Sequence, residues 1–173
     1  MSDTLILVDL LDRPVGQGEK LDVHKRGLLH RAFSVFLFDG DRLLIQRRAL
    51  DKYHSGGLWA NSCCSHPRAG EGLDEAVHRR MMQELGMDCA VTEEFAFVYR
   101  AVYADGLSEY EYDHVFAGEY SGAVAPDAGE IAEVRWISAD ELLDEMAAHP
   151  ERFSAWFIIA APELIRRRLH GGG

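Results

Sequence analysis

A helix that has to bury charge constrains this chain more than any other feature. Between about Leu73 and Leu85, the apolar residues Leu73, Ala76 and Val77 share one arc of a wheel drawn at roughly 100° per residue. Arg80 and Glu84, one turn apart, fall inside that arc and not opposite it, and the segment closes on Glu84-Leu85-Gly86. Burying two such charges costs several kcal/mol unless each is paired or holds a ligand. Two readings follow: an ion pair built into the core, or side chains that hold something.

The residues just before the helix carry chemistry of their own. Asn61-Ser-Cys-Cys-Ser-His-Pro67, followed by Gly70 and Gly72, reads as a loop, with the adjacent thiols of Cys63 and Cys64 shortly before the imidazole of His66. Taken alone, the segment fits a buried loop with inert thiols. Loops held by a rigid scaffold are also where reactive groups usually lie.

At 173 residues the chain, 1–173, is long enough for one domain with a real core and short for two. A hydrophobic fraction of 47% with 27% charged residues is ordinary for a soluble globular protein. No apolar run approaches the roughly 18 residues of a membrane span. The N-terminus shows no basic region ahead of a long apolar core, so no secretory signal is expected. The three cysteines then read as free thiols in a reducing cytoplasm. A formal net charge of −11 opposes general affinity for nucleic acid or an anionic membrane. An anionic substrate would need a local basic pocket.

Leu5–Val8 reads as a strand leading into a loop at Asp12-Arg-Pro-Val-Gly16. Lys20, His24 and His30 then precede the strongest strand signal, Ala32–Phe38, which Asp39-Gly40-Asp41 joins to Arg42–Arg47 as a hairpin. Arg48 and Lys52 follow at its exit. Beyond the helix, 95–102 and 110–120 read as two strands, and Glu109 and Glu111 flank the first position of the second. On a strand that spacing puts both carboxylates on one face, where a cation or a proton must offset their repulsion. A last short strand, 134–137, runs into the capping box Ser138-Ala-Asp-Glu141 and a helix through Ala147. The pattern from Phe153 to Leu169 is helical, and a disordered tail is expected at 171–173. Strands on both sides of one central helix, with helices at the end, predict an α+β fold: a mixed β-sheet sandwich flanked by helices.

The span from Ser65 to Met87 resembles the Nudix box: Gly, five residues, Glu, seven residues, then Arg-Glu-apolar-x-Glu-Glu-x-Gly-apolar. Glu71, Arg79, Met81, Glu84, Gly86 and Met87 fit. Ser65 stands for the first glycine, and Arg80 and Gln83 for two glutamates that hold metal in the hydrolases. That substitution argues against a Nudix hydrolase of a nucleoside diphosphate derivative, the main alternative. The chain is similar instead to the type 1 isopentenyl-diphosphate isomerases, a branch of the same superfamily. The likeness runs from about Lys20 to Trp156, through His30-Arg-Ala-Phe-Ser34, Asn61–Pro67, Arg80 with Glu84-Leu-Gly86, and Glu109-x-Glu111.

The resemblance implies a divalent metal, Mn²⁺ or Zn²⁺ by its mixed imidazole and carboxylate donors, on His24, His30, His66, Glu109 and Glu111. One departure is that the His24 to His30 spacing is shorter than in other members. The resemblance places the diphosphate of isopentenyl diphosphate on Lys20, Arg48, Lys52 and Arg80, and a Mg²⁺ bridging to it on Glu84. It makes Cys64 and Glu111 the catalytic pair, with Tyr99 positioning or protonating Glu111 and the face of Trp156 stabilising a cation. Cys63 and Cys89 are expected to serve packing only. A monomer is expected. A non-catalytic metal- or diphosphate-binding module is the third reading, and it has no need of a thiol opposite a carboxylate pair.

Overall fold

A computed structural model describes residues 3–171. Gly172 and Gly173, most of the expected tail, lie outside the described residues. In chain order the elements are β1 (Thr4–Val8), β2 (Pro14–Glu19), α1 (Lys20–Arg26), β3 (His30–Asp39), β4 (Arg42–Arg48), β5 (Trp59–Ala60) and β6 (Cys63–Ser65). They continue with α2 (Leu73–Leu85), β7 (Thr92–Val102), β8 (Ser108–Glu119), β9 (Ile131–Ser138), α3 (Ala139–Ala148), a 3₁₀ turn (Pro150–Arg152) and α4 (Ala155–Leu169).

β3 is the spine of the mixed sheet. It runs parallel to β8 in continuous register, from His30 beside Glu111 to Phe38 beside Glu119. Along β3 the side chains alternate between two cores. Phe33, Val35 and Leu37 pack with Val77, Met81 and Leu85 of α2. Phe36 and Phe38 pack on the other side with Leu142 of α3 and Phe157 and Leu164 of α4. A strand covered on both faces reads as an unbroken apolar run, which is why Ala32–Phe38 gives so strong a signal. Each of these large side chains contributes about 1.5–3 kcal/mol by leaving water.

The β3–β4 hairpin forms as its turn chemistry predicts, with Asp39 paired to Arg42 and Gly40 at φ 61°. The two strands stay paired only as far as Leu37 and Leu44. There the hydroxyl of Ser62 wedges between them, accepting from the Leu37 N–H at 2.9 Å and donating to the Leu44 carbonyl at 2.6 Å. β6 takes over the freed edge of β3, with Val35 beside Cys63 and Ser34 beside Cys64. The segment read as a loop is therefore partly a strand. Three short polar or thiol residues carry no periodic signal, and the open edge of β3 supplies their partners.

Three further elements were silent or misread in the sequence. Pro14–Glu19, expected as loop, pairs with β1 as an exposed edge strand, where a proline at the first position removes no ladder bond that is needed. α1 is a helix of 7 residues, too short for periodicity, closed at Gly27 with φ 64°. Residues 153 and 154 precede α4 in extended conformation, so that helix starts at Ala155. The Ser138 cap of α3 and both ends of α2 stand where the sequence put them.

Candidate active site

A cleft of about 730 Å³, counted out to its open mouth, runs between the parted strands β3 and β4 and the start of β8. Its two ends differ in chemistry.

At one end, His24 comes from α1, His30 from the first position of β3, His66 from just beyond β6, and Glu109 and Glu111 from β8. One donor atom from each of the five lies within 4.8 Å of every other. The left-handed turn at Gly27 folds α1 back on β3, so the short His24 to His30 spacing still brings both rings to one point. The His24 Nδ1–H donates to the Lys20 carbonyl at 2.6 Å, and the His30 Nδ1–H to the Leu28 carbonyl at 2.9 Å. Both Nε2 atoms therefore face inward as electron-pair donors when the rings are neutral. His30 Nε2 lies 3.2 Å from His66 Nε2, and Glu111 Oε1 lies 3.1 Å from His66 and 3.6 Å from His30.

Buried charge strains this group. Burial and the Glu111 charge push Glu109 up to about 8. Burial opposes ionisation of Glu111 as well, but the side chains of Glu109, His30 and His66 hold it well below the usual carboxylate range. Burial takes His66 down to about 3, whereas Glu109 outweighs burial at His24 and raises it. Glu109 Oε1 lies 3.0 Å from His24 Nε2 and also contacts His54 Nε2, while its Oε2 is buried with no hydrogen-bond partner among the described residues. Two buried carboxylates, one with an unpartnered oxygen, facing inward-turned imidazole nitrogens are a donor set that fits a divalent cation.

Lys20, Lys52 and Arg80 lie within charge reach of one another at the other end, and Arg48 lines the cleft beside Cys64 and Trp156. Burial and the charges of Lys52 and Arg80 lower Lys20. Lys52 pairs with Glu130, and Arg80 with Glu84, while Arg80 also lies 3.7 Å from Glu130. The Nε atoms of Arg48 and Arg80 are buried without a partner among the described residues. The inward charges of α2 are thus both an internal pair and part of the cleft wall. Cys63, expected to do no more than pack, also donates its thiol hydrogen to Glu84 Oε2 at 3.0 Å. Glu71 and Arg79 form a bidentate pair at 2.6 and 2.9 Å that ties the preceding loop to α2.

Cys64, Tyr99 and Trp156 sit between the two ends. Burial pushes the Cys64 thiol up to about 12 although Arg48 Nη1 is 3.8 Å from its sulfur. Tyr99 is raised well above its usual range by burial, and its buried hydroxyl has no partner among the described residues. Trp156 is anchored by its indole N–H to Asn61 Oδ1 at 2.9 Å, and the Arg48 guanidinium lies 5.1 Å from its ring centroid. All thirteen candidate residues are brought to this region.

Sequence reasoning missed three neighbours. His54 contacts Glu109, stacks on Tyr103 at 5.1 Å and is driven down to about 3 by burial and Arg48. Asp113 continues the Glu109, Glu111 face by one more strand period and accepts from Ser34 Oγ at 2.9 Å, and that spacing could have found it. Glu130 precedes β9 in a loop, where no pattern marks it.

Residues 28–157 match the NUDIX domain family. A Burkholderia multivorans protein named isopentenyl-diphosphate Delta-isomerase is 52% identical over 158 residues, covering 91% of this chain and 90% of that one. An Aromatoleum aromaticum protein named isopentenyl-diphosphate Delta-isomerase 2 is 45% identical over 175 residues, covering 100% of this chain and 93% of the relative. A crystal structure from Deinococcus radiodurans matches with a TM-score of 0.77 at 20% identity, covering 96% of this chain and 99% of the other, a likeness that speaks to fold alone. With its parted hairpin, its charged helix and relatives alike over nearly their whole length, the chain belongs to the NUDIX domain family and, within it, to the isopentenyl-diphosphate Delta-isomerases.

Proposed function

We propose that the cleft interconverts isopentenyl diphosphate and dimethylallyl diphosphate, an isoprenoid-precursor step, by a 1,3-allylic proton shift. The observation that carries this reading is that one cleft is lined by four cations, a thiol and a pair of buried carboxylates. Lys20, Arg48, Lys52 and Arg80 bind the diphosphate, with the partnerless Nε atoms of the two arginines free to donate to its oxygens. That orientation carries the hydrocarbon end toward Cys64, Glu111 and Trp156.

An unactivated alkene is a weak base, so the reaction needs an acid on one face and a base on the other. One group delivers a proton to the terminal methylene and leaves a tertiary cation, and the other removes a proton from the carbon two positions away. A neutral Cys64 thiol and an ionised Glu111 carboxylate hold one proton to give and one place to receive it, as a shift with no net proton change requires. Tyr99 extends its hydroxyl into the same space and positions or protonates Glu111. The face of Trp156 stabilises the cation, worth about 2 kcal/mol when desolvated. A divalent ion on His24, His30, His66, Glu109 and Glu111, Mn²⁺ or Zn²⁺ by donor type, would draw electron density from Glu111 and set its acidity, and a Mg²⁺ at Glu84 would screen the diphosphate.

The hydrolase alternative is disfavoured because Gln83, where a metal-holding glutamate would stand, accepts hydrogen bonds from Arg79 and Arg80 at 3.1 Å each. In the same reading residues 1–173 form one domain that works as a monomer in the cytoplasm, apart from nucleic acid and membranes, in keeping with a net charge of −11. The test is incubation with isopentenyl diphosphate and Mg²⁺. Acid-labile dimethylallyl diphosphate is the expected product, and release of phosphate without isomer would return the chain to the hydrolases.

A further inference from the structure

Glu130 is an acid in the part of the cleft where cations are needed. Its backbone is fixed on both sides, the N–H donating to the Asp127 carbonyl at 2.9 Å and the carbonyl accepting from Ala49 at 3.0 Å. The side chain, 29% exposed, is aimed at Lys52 and reaches within 3.7 Å of Arg80. The fold does not require this pair for burial, since Lys52 is also partly open to solvent. The carboxylate occupies the side of two cations that an anionic ligand would take.

We infer that Glu130 is a specificity-determining residue, an internal counter-anion that competes with the ligand's diphosphate for Lys52 and Arg80 and so favours diphosphate already complexed with a divalent cation. The inference rests on the reading of the cationic end as a diphosphate site. A carboxylate tethered beside its partners acts at high effective concentration, so an incoming anion must displace it or lie against it. A bare diphosphate brings several negative charges and meets the full repulsion. A metal-complexed one brings two fewer and meets less. Discrimination that comes from like charge placed against the wrong ligand is a difference of affinities, so it weakens when the charge is removed. In the free protein the same carboxylate offsets the mutual repulsion of Lys20, Lys52 and Arg80, and their charges in turn hold Glu130 below the usual carboxylate range against the pull of burial.

The experiment is calorimetric titration of inorganic pyrophosphate into the whole chain, with a chelator and separately with excess Mg²⁺. Wild type, Glu130→Gln and Glu130→Ala are compared. Wild type should prefer the Mg²⁺ complex. In both variants metal-free pyrophosphate should bind about tenfold more tightly, and the Mg²⁺ complex should gain less, so the preference shrinks. Metal-free affinity that is unchanged or weaker in both variants overturns the inference. Weaker binding of the Mg²⁺ complex with metal-free binding unchanged also overturns it, because Glu130 would then hold the metal and not oppose the ligand. Absence of pyrophosphate binding by wild type in either condition sinks the diphosphate reading itself.

Discussion

The two ends of the cleft show opposite ways of keeping charge inside a protein. At the cationic end, Lys52 and Arg80 meet Glu130 and Glu84, and Cys63 supplies one more hydrogen bond, so the chain balances much of its own charge. At the imidazole end, two carboxylates and three ring nitrogens aim electron pairs at one another, and Glu109 Oε2 has no hydrogen-bond partner among the described residues. The first end carries its counter-ions with it. The second is balanced by protons or by a cation from outside, since buried like charges are tolerated only when one of them is neutralised.

The sharpest break in that comparison is at the groups between the ends. Cys64→Ala and Glu111→Gln should each lower kcat by about 10²-fold to 10⁴-fold or more, with an unaltered far-UV spectrum, because in the proposed mechanism both move protons and neither anchors the core. Wild-type rates in Cys64→Ala would remove the thiol from the mechanism. Next comes the cationic end. Arg80→Ala should raise KM for the diphosphate by about tenfold to a hundredfold and, by leaving Glu84 buried without its partner, lower Tm by several degrees. A lower Tm with unchanged KM would make the pair purely structural.

The imidazole end is tested by pH. Glu109 is raised to about 8 and His24 is raised too, and a raised pKa means that the folded state holds its proton longer than the unfolded chain does. Their contribution is fully present at low pH and lost as pH rises through the folded values. His54 and His66, driven down to about 3, act in the opposite sense, but their effect levels off once pH passes the unfolded imidazole value of 6.5. Chelator-treated protein should therefore lose several degrees of Tm between about pH 6.5 and 8.5, and added Mn²⁺ or Zn²⁺ should flatten the slope. Identical slopes with and without metal would mean that the cluster holds no cation. The smallest effect is expected at Cys63. Cys63→Ser keeps a donor to Glu84 and should be near neutral, whereas Cys63→Val should raise the Mg²⁺ requirement by about twofold to threefold. If both variants match wild type, Cys63 only packs.

How much of this was legible depended on the range of each interaction. The two strands around Asp39-Gly40-Asp41, helix α2 and the Ser138 cap were readable because turn chemistry, helical periodicity and capping act within a few residues. The roles of the thirteen candidate residues came from a resemblance, and no periodicity in the chain would have brought His24, His66 and Glu111 together. β6, α1 and β2 were missed or misread because short elements carry too few residues for a period. His54 and Glu130 were missed because each is an ordinary polar residue until another segment folds over it.

By itself the sequence determined the longer elements, that α2 turns an arginine and a glutamate inward, and that Glu109 and Glu111 share a face. Those facts follow from the 3.6 and 2.0 residue periods, which any short window contains. Only the tertiary structure decided that β3 and β4 part at Ser62, that β6 enters the gap, and that Glu130 lies against Lys52 and Arg80. Those outcomes depend on backbone partners and charges that meet across 20 to 80 positions of chain, where only burial and the saturation of hydrogen bonds choose among the possible pairings.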